Sequence, residues 1–528
     1  PRRSSDLEKH SCKNWPDLNP VSPFNIDQGG WQMKLWQLLW GLCVLPVATF
    51  AIQSACEVNT LKIIDQGLMQ HPAYVHLAHE HVSASCLQAL SEKLNHTDKQ
   101  VSLDLSGNHL GDQRLNDWLK TLAKHKLLKL SLAGNELTSH ARSGLRTILS
   151  DQSSLEILDL SHNHIGHQGL AGLSLAIVKS PNLKQLGLTN NQLRGGDLLP
   201  LAEKLPHSHI TSLFLAQNQL TGKGFERLMK AITNHAPLQK LVLNANPINE
   251  QDFKALADML AKHKGLSELQ LGTLRPSSNS MQELALGLKE NTGLKSLALF
   301  SNRINDRDLK ILLSGLADHP NLHWLDLADN QVTHVGAEHL ATWLDTQSHL
   351  STLYLSQNKL KDKGMHKLSG ALKRHDALKV LGLGHNDIGD SGAKTLSNIM
   401  KNHKSITHLE FNANAFSHEG ANHLGHALSM NDTLIAIDIS GNDLGDTGVG
   451  HLSDGLKHNE TLEHLYLMDN RIGDKGAHHL AKALDHHPQL VVLGMQHNII
   501  AAEGQNKLKM HLHDNPSFKS LHLQGNLP

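Results

Sequence analysis

Imidazole dominates the side chains in this sequence that could do chemistry. Forty histidines stand among 528 residues, beside only four cysteines. The densest local set is His76-Leu-Ala-His79-Glu-His81. Three imidazoles so close together suggest a metal site, but alternate side chains of an extended segment point to opposite faces. No cysteine pair completes a zinc set either. His478-His479 and His486-His487 fall short in the same way. No stretch matches a phosphate-cradling glycine loop, a nucleophile elbow or the paired histidines of a zinc protease. The expectation is a non-enzymatic protein with neither metal nor cofactor. Basic and acidic residues number 49 and 50, without a basic stripe, so nucleic acid is not an expected partner.

The elements that position these side chains come from an internal repeat. Leu322-His-Trp-Leu325-Asp-Leu327-Ala-Asp-Asn330-Gln-Val332 is followed by Gly336, Leu340 and Leu344. The Asn330 position recurs as Asn108, Asn135, Asn163, Asn191, Asn218, Asn246, Asn302, Asn358, Asn386, Asn414, Asn442, Asn470, Asn498 and Asn526. Steps are 27 or 28 residues, with one of 56 across Leu274. Self-similarity at this period means stacked units, each burying its apolar face against its neighbours. Alternation places Leu325 and Leu327 on the buried face of a short strand and turns Asp326 outward. An asparagine amide both donates and accepts, so it can satisfy backbone groups of its own turn and of the next coil. The glycine six residues on suits either a positive φ or close packing. The Leu340–Leu344 spacing gives a helix with one apolar stripe.

A second column lies seventeen residues past the asparagine. It holds His125, His235, His263, His319, His375, His403 and His487, with Asn291, Asn431, Asn459 and Asn515 in other coils. Left-handed helix caps and a protonated imidazole at the helix's negative end are the expected roles. The same column absorbs the Asn-x-Thr triplets at Asn431 and Asn459. At Leu274 the register is kept but the asparagine is lost, and Pro276 with two serines follows. A drifted coil that found other hydrogen bonds is the expectation there.

These residues resemble the leucine-rich repeat family, in its ribonuclease-inhibitor-like class of roughly 28-residue units, from about Tyr74 onward. The segment Val75-His-Leu77-Ala-His-Glu80 fits the spacing with Glu80 in place of asparagine, as an atypical capping coil would. The resemblance implies an α/β solenoid. This is a right-handed horseshoe with a parallel sheet on its concave face and helices on its convex face. Members are mostly protein-recognition scaffolds. Some are sensor regions of nucleotide-oligomerisation receptors, and some activate small GTPases.

Upstream, the chain opens on Pro1, and residues 1–32 read as disordered or as an upstream extension. From Met33, one lysine, an apolar run from Leu35 to Ala51 and small residues up to Ala55 look like a secretory leader over 33–55. A capping coil over 56–100 and the solenoid over 101–528 complete the expected organisation. Export, periplasmic or secreted, is the expected location, with contact to a membrane only through the leader. Anchoring by residues 35–51 and a role in a host cell as a bacterial effector are the alternatives. Cleavage would remove Cys12 and Cys43 and leave Cys56 and Cys86 as a disulfide pair on the cap. The C-terminal Leu521-His-Leu523 reads as an edge strand through which two chains could associate.

With no catalytic motif, function falls to the outward strand residues. Phe300, Trp324 and Tyr354 come from consecutive coils, with Asp326 and Asp329 beside them and Phe214 further toward the N-terminus. Glu410, Asp438, Tyr466, Met468 and Asp469 follow. Aromatics ringed by carboxylates read as a protein-recognition patch for a basic or amide-rich partner. A scaffold that binds a protein through the concave face is the expected function. A GTPase activator and a structural envelope protein are the alternatives.

Overall fold

A computed structural model describes residues 56–527, apart from 71, 152–153 and 514. The leader expected over 33–55 and the segment 1–32 lie outside the described residues. Seventeen short strands form one parallel sheet, each paired with the strand of the next coil. The register is regular. Leu325 pairs with Leu297 on one side and Leu353 on the other, so equivalent positions stack into columns running across the sheet. Leu325 and Leu327 are fully buried, as is Leu340 of the helix His334–Leu344 that returns the chain. One helix layer therefore covers one face of the sheet, and a single apolar core runs the length of the stack. The other face carries the alternate residues and is concave.

The asparagines form the expected ladder. Asn330 Nδ2 donates to the carbonyls of Leu327 and of Leu299 one coil back, each at 3.0 Å. Its Oδ1 accepts from the N–H of Asn302 at 3.1 Å and of Ile304 at 2.9 Å. Each amide thus pairs backbone groups of two coils that the turn would leave buried and unpaired. The residue before the asparagine takes the left-handed conformation in many coils, as Asp329 (φ 51°), Gln357 and Asp469 do.

The recurring glycine reflects close packing, not positive φ. A Cβ on Gly392 would sit 2.7 Å from Asp362 Oδ1, and one on Gly476 would sit 2.7 Å from Asp446 Oδ1. Those carboxylates form a second ladder, which sequence reasoning missed. Asp362 Oδ1 accepts from the N–H of Gly389 at 2.7 Å and of Gly392 at 2.9 Å, in the first turn of the next coil's helix. Asp390, Asp446 and Asp474 repeat the arrangement. A carboxylate there meets the positive end of the helix.

The helix-end column departs from the expected role. His263 has φ −88° and ψ 102°, an extended conformation in place of the left-handed cap. It is 3 % exposed, and burial holds its pKa below the ordinary value. His319 and His487 are lowered to about 4, again by burial. These rings are neutral, so attraction of a charged imidazole to the helix dipole is not their role. His403 shows a different one. Its Nδ1 accepts from the N–H groups of Ser405 and Ile406, which leaves Nε2 to donate to Leu372 O at 3.0 Å. Asn431 makes the same set, with Nδ2 on Met400 O and Oδ1 on the N–H groups of Thr433 and Leu434. Histidine and asparagine can share the column because each can place an acceptor and a donor across two coils, as His403 and Asn431 do, whereas neither ring nitrogen of His319, His375 or His487 has a hydrogen-bond partner among the described residues.

At the break, Leu274 is 8 % exposed and packs into the core. Asn302 Oδ1 takes the N–H groups of both Leu274 and Arg275. Ser277 caps the following helix, and the strand Glu268–Gln270 keeps its register on both sides. At the N-terminal end, the helix Val58–Met69 and the strand Ala73–His76 precede the first asparagine coil. A disulfide joins Cys56 to Cys86 of the helix Ala84–Leu94.

Candidate functional site

The concave face is a grid. One column runs Ala298, Asp326, Tyr354, Gly382, Glu410, Asp438, Tyr466, Gly494, each paired in register with the next. A second runs beside it through Trp324, Thr352, Val380, His408, Ala436 and His464. The strands are three residues long and adjacent side chains crowd one another, so the face is less exposed than the sequence suggests. Phe214, Trp324, Asp438, Tyr466 and Met468, expected as exposed contacts, are buried at 4 to 9 % exposure by their neighbours. Phe300, Asp326, Tyr354, Glu410 and Asp469 are half-buried, and Asp329 alone of the set is exposed.

The aromatics divide. Trp324 and Tyr354 meet edge to face at 5.9 Å between ring centroids. Phe300 leans the other way, its ring against Gly272, where a Cβ would have no room. Phe214 stands apart under Lys240, whose ammonium lies 5.3 Å from the ring centre and pairs with Glu268 at 2.8 Å. Asp329 and Asp469 lie in the left-handed turns at the rim, and Asp329 accepts from Ser301 Oγ at 2.6 Å. The contiguous set is therefore Trp324, Asp326, Tyr354, Glu410, Asp438 and Tyr466.

Its electrostatics are unusual. Glu410 is pushed up to about 8 by burial and by the nearby carboxylates of Asp438 and Asp326. Asp326 and Asp438 are each raised to about 6 by burial. Ser440 N–H donates to Asp438 and Ala328 N–H donates to Asp326, which limits the rise. An arriving cation would favour the ionised forms of these carboxylates. Tyr466 is raised to about 12 by burial and by Asp438, so its hydroxyl remains a donor.

The three N-terminal imidazoles do not converge. His76 Nδ1 faces Asp104 at 3.1 Å, and His79 lies in a turn against Gly107. Among the described residues, no group of three or more histidine, cysteine or acidic side chains is placed to hold a metal ion. No helix among them is long and apolar enough to cross a membrane.

Residues 207–498 match the family model described as the MHP1/HER1/GIP3 LRR domain, and residues 152–174 match a leucine-rich repeat model. NACHT, LRR and PYD domains-containing protein 3 of Bos taurus is 34% identical over 157 residues, which cover 29% of this chain and 15% of that protein. The Homo sapiens protein matches to the same extent. Protein 14 of the same name in Mus musculus is 32% identical over 150 residues, 27% of this chain and 15% of that protein. The chain thus spans only 15% of the length of these relatives. An internalin of Listeria monocytogenes is similar in structure at 19% identity over 80% of this chain and 93% of that one, with a TM-score of 0.37.

Proposed function

We propose, from the premise that the chain belongs to the MHP1/HER1/GIP3 leucine-rich repeat family, that its concave sheet recognises a partner protein without doing chemistry on it. Leucine-rich repeat domains generally mediate contacts between proteins. The observation that carries the reading here is the column from Asp326 to Tyr466, which gathers three carboxylates and two tyrosines on one face. Tyrosine and tryptophan supply contact area at low entropic cost. Burial raises all three carboxylates, and Asp438 and Asp326 raise Glu410 further; a basic surface brought against them favours their ionised forms and an acidic one does not. The test is quantitative capture of partner proteins by the wild-type chain and by a Trp324→Ala, Tyr354→Ala, Tyr466→Ala variant of unchanged helicity. The variant recovers little of what the wild type binds. Equal recovery rejects the face.

The place of action is a second part of the proposal. We infer that the chain is exported to an oxidising compartment. The Cys56–Cys86 disulfide supports this, since such bonds persist there and are rare in the cytosol. Thiol titration of the protein isolated from its own cells is the check. Reduced Cys56 and Cys86 would contradict it.

A further inference from the structure

Histidine is unevenly placed on the helix layer. Among the described residues, twelve histidines lie in α-helices, and eleven of them fall in the last seven helices, from His334–Leu344 to Ala502–His513. The position nine residues past the asparagine, beside the buried leucine of each helix, reads His339, Lys367, Thr395, His423, His451, His479 and Lys507. The position before it adds His366, Lys394 and His478. The two columns meet across coils. Lys367 Nζ pairs with Glu338 at 3.0 Å, Thr395 Oγ1 meets His366 Nδ1 at 2.7 Å, and a Cβ on Gly450 would lie 3.0 Å from His479 Nδ1. The lysines and histidines of both columns are exposed or half-buried. They make one stripe across seven helices, about 50 Å long at about 8–10 Å between axes. In the earlier coils the same columns hold no histidine and mix signs, as Asp117, Glu226, Arg227, Lys254 and Glu283 show.

Acidity sets the charge of this stripe. Six imidazoles and three lysines share it with one carboxylate. Its formal charge therefore rises from about 2 to about 8 as imidazoles protonate below about pH 6.5. The carboxylate, Glu338, is already held by Lys367. On the flanks, Glu503 holds Lys507 at 2.7 Å and faces His478. Asp454 holds Lys457 at 2.8 Å and faces His451 and His479. Partial burial, with Lys482, Lys507, His479 and His511 nearby, keeps the His478 pKa below its ordinary value. His511 is tied to Asp485 at 3.1 Å. These few acids leave most of the acquired charge uncompensated, and aligned like charges attract a polyanion.

We propose that the stripe from His339 to Lys507 is an acid-switched docking surface for a linear sulfated polysaccharide, separate from the concave face. A chain of anionic groups matches a surface two side chains wide and seven helices long. Neither column offers an aromatic ring on which a nucleic-acid base could stack. Each helix turns its apolar stripe into the core, which leaves a lipid surface little to hold. A sulfate keeps its full charge at the pH where imidazoles gain theirs, whereas a carboxylate begins to lose its own.

Biolayer interferometry of the full chain on long-chain heparin, at pH 5.5 and pH 7.5 with helicity checked at both, tests this. Binding is roughly tenfold or more tighter at the lower pH. A His423→Gln, His451→Gln, His479→Gln variant loses most of that gain. A His109→Gln, His162→Gln, His164→Gln variant, which removes as many exposed imidazoles from the other end of the solenoid, keeps it. Glu338→Gln, which frees Lys367, tightens binding severalfold at both pH values. Desulfated heparin binds weakly throughout. Binding that ignores pH, equal losses in the two histidine variants, or no gain from Glu338→Gln overturns the stripe. Binding to desulfated heparin, to phosphatidylserine vesicles or to a thymidine oligonucleotide as tight as to heparin overturns the sulfated chain as its occupant.

Discussion

Replacing Glu410 by glutamine should stabilise the middle of the solenoid, and more so as the pH rises. Glu410 titrates near 8 in the fold against 4.5 for an unperturbed glutamate. Between those values the folded chain holds a proton that the unfolded chain has released. Stability therefore falls as pH rises through the window, the opposite of a salt-bridged carboxylate. At about 1.4 kcal/mol per pH unit, the cost is about 3 kcal/mol at pH 7 and about 5 kcal/mol above pH 8. Glutamine keeps the shape and the neutral state but cannot titrate. Solenoids open in segments, so a global melt is a poor reporter. Hydrogen exchange at the Phe411 amide, which donates to Asp438 O at 2.7 Å, reads the local opening directly. Wild type and Glu410→Gln should exchange alike at pH 4.5. By pH 7.5 the variant should be slower by nearly three orders of magnitude, the equivalent of about 4 kcal/mol. A difference independent of pH, or faster exchange in the variant, would refute the reasoning.

Two further outcomes follow from the ladders. His403→Asn should leave stability within about 0.5 kcal/mol of wild type, because Asn431 and Asn459 already make the same bonds in their coils. It should also reduce sensitivity to acid, since burial depresses the His403 pKa and its stabilising effect is lost as pH falls below about 6.5. His403→Leu should cost about 1–3 kcal/mol by leaving the Leu372 carbonyl and two N–H groups unpaired, and urea titration distinguishes the two variants. Asn358→Ala strips its partners at Leu327 O and Val332 N and should cost at least as much, with exchange accelerated in the two adjoining coils and unchanged around Asn163.

The fold was legible because Leu-x-Leu and the asparagine each answer a local demand, burial of a strand face and pairing of a turn. Those demands repeat every 28 residues, as from Asn330 to Asn358. The Asp362 ladder was missed because one carboxylate four residues past an asparagine resembles any helix start. Its partners, Gly389 and Gly392, lie a coil away. The histidine column was found but its role misjudged, because sequence gives the spacing from the helix end and not the depth of burial. The site was legible in part. Tyr354, Glu410 and Asp438 stand out by type, but exposure on a crowded sheet depends on neighbours 28 residues away. Reading down the column at that interval pairs Tyr354 with Gly382 and Tyr466 with Gly494, a signal available in the sequence that residue-by-residue inspection passes over.

The central claim is that the open sheet face, and not the helix layer, meets the partner. A photo-crosslinking amino acid placed at Ala328, beside Asp326 on the sheet, and separately at Thr342 on the helix His334–Leu344 tests it in the protein's own cells. Irradiation should join a partner protein to the chain substituted at Ala328 and not to the one substituted at Thr342. Crosslinks from Thr342 alone would contradict the account.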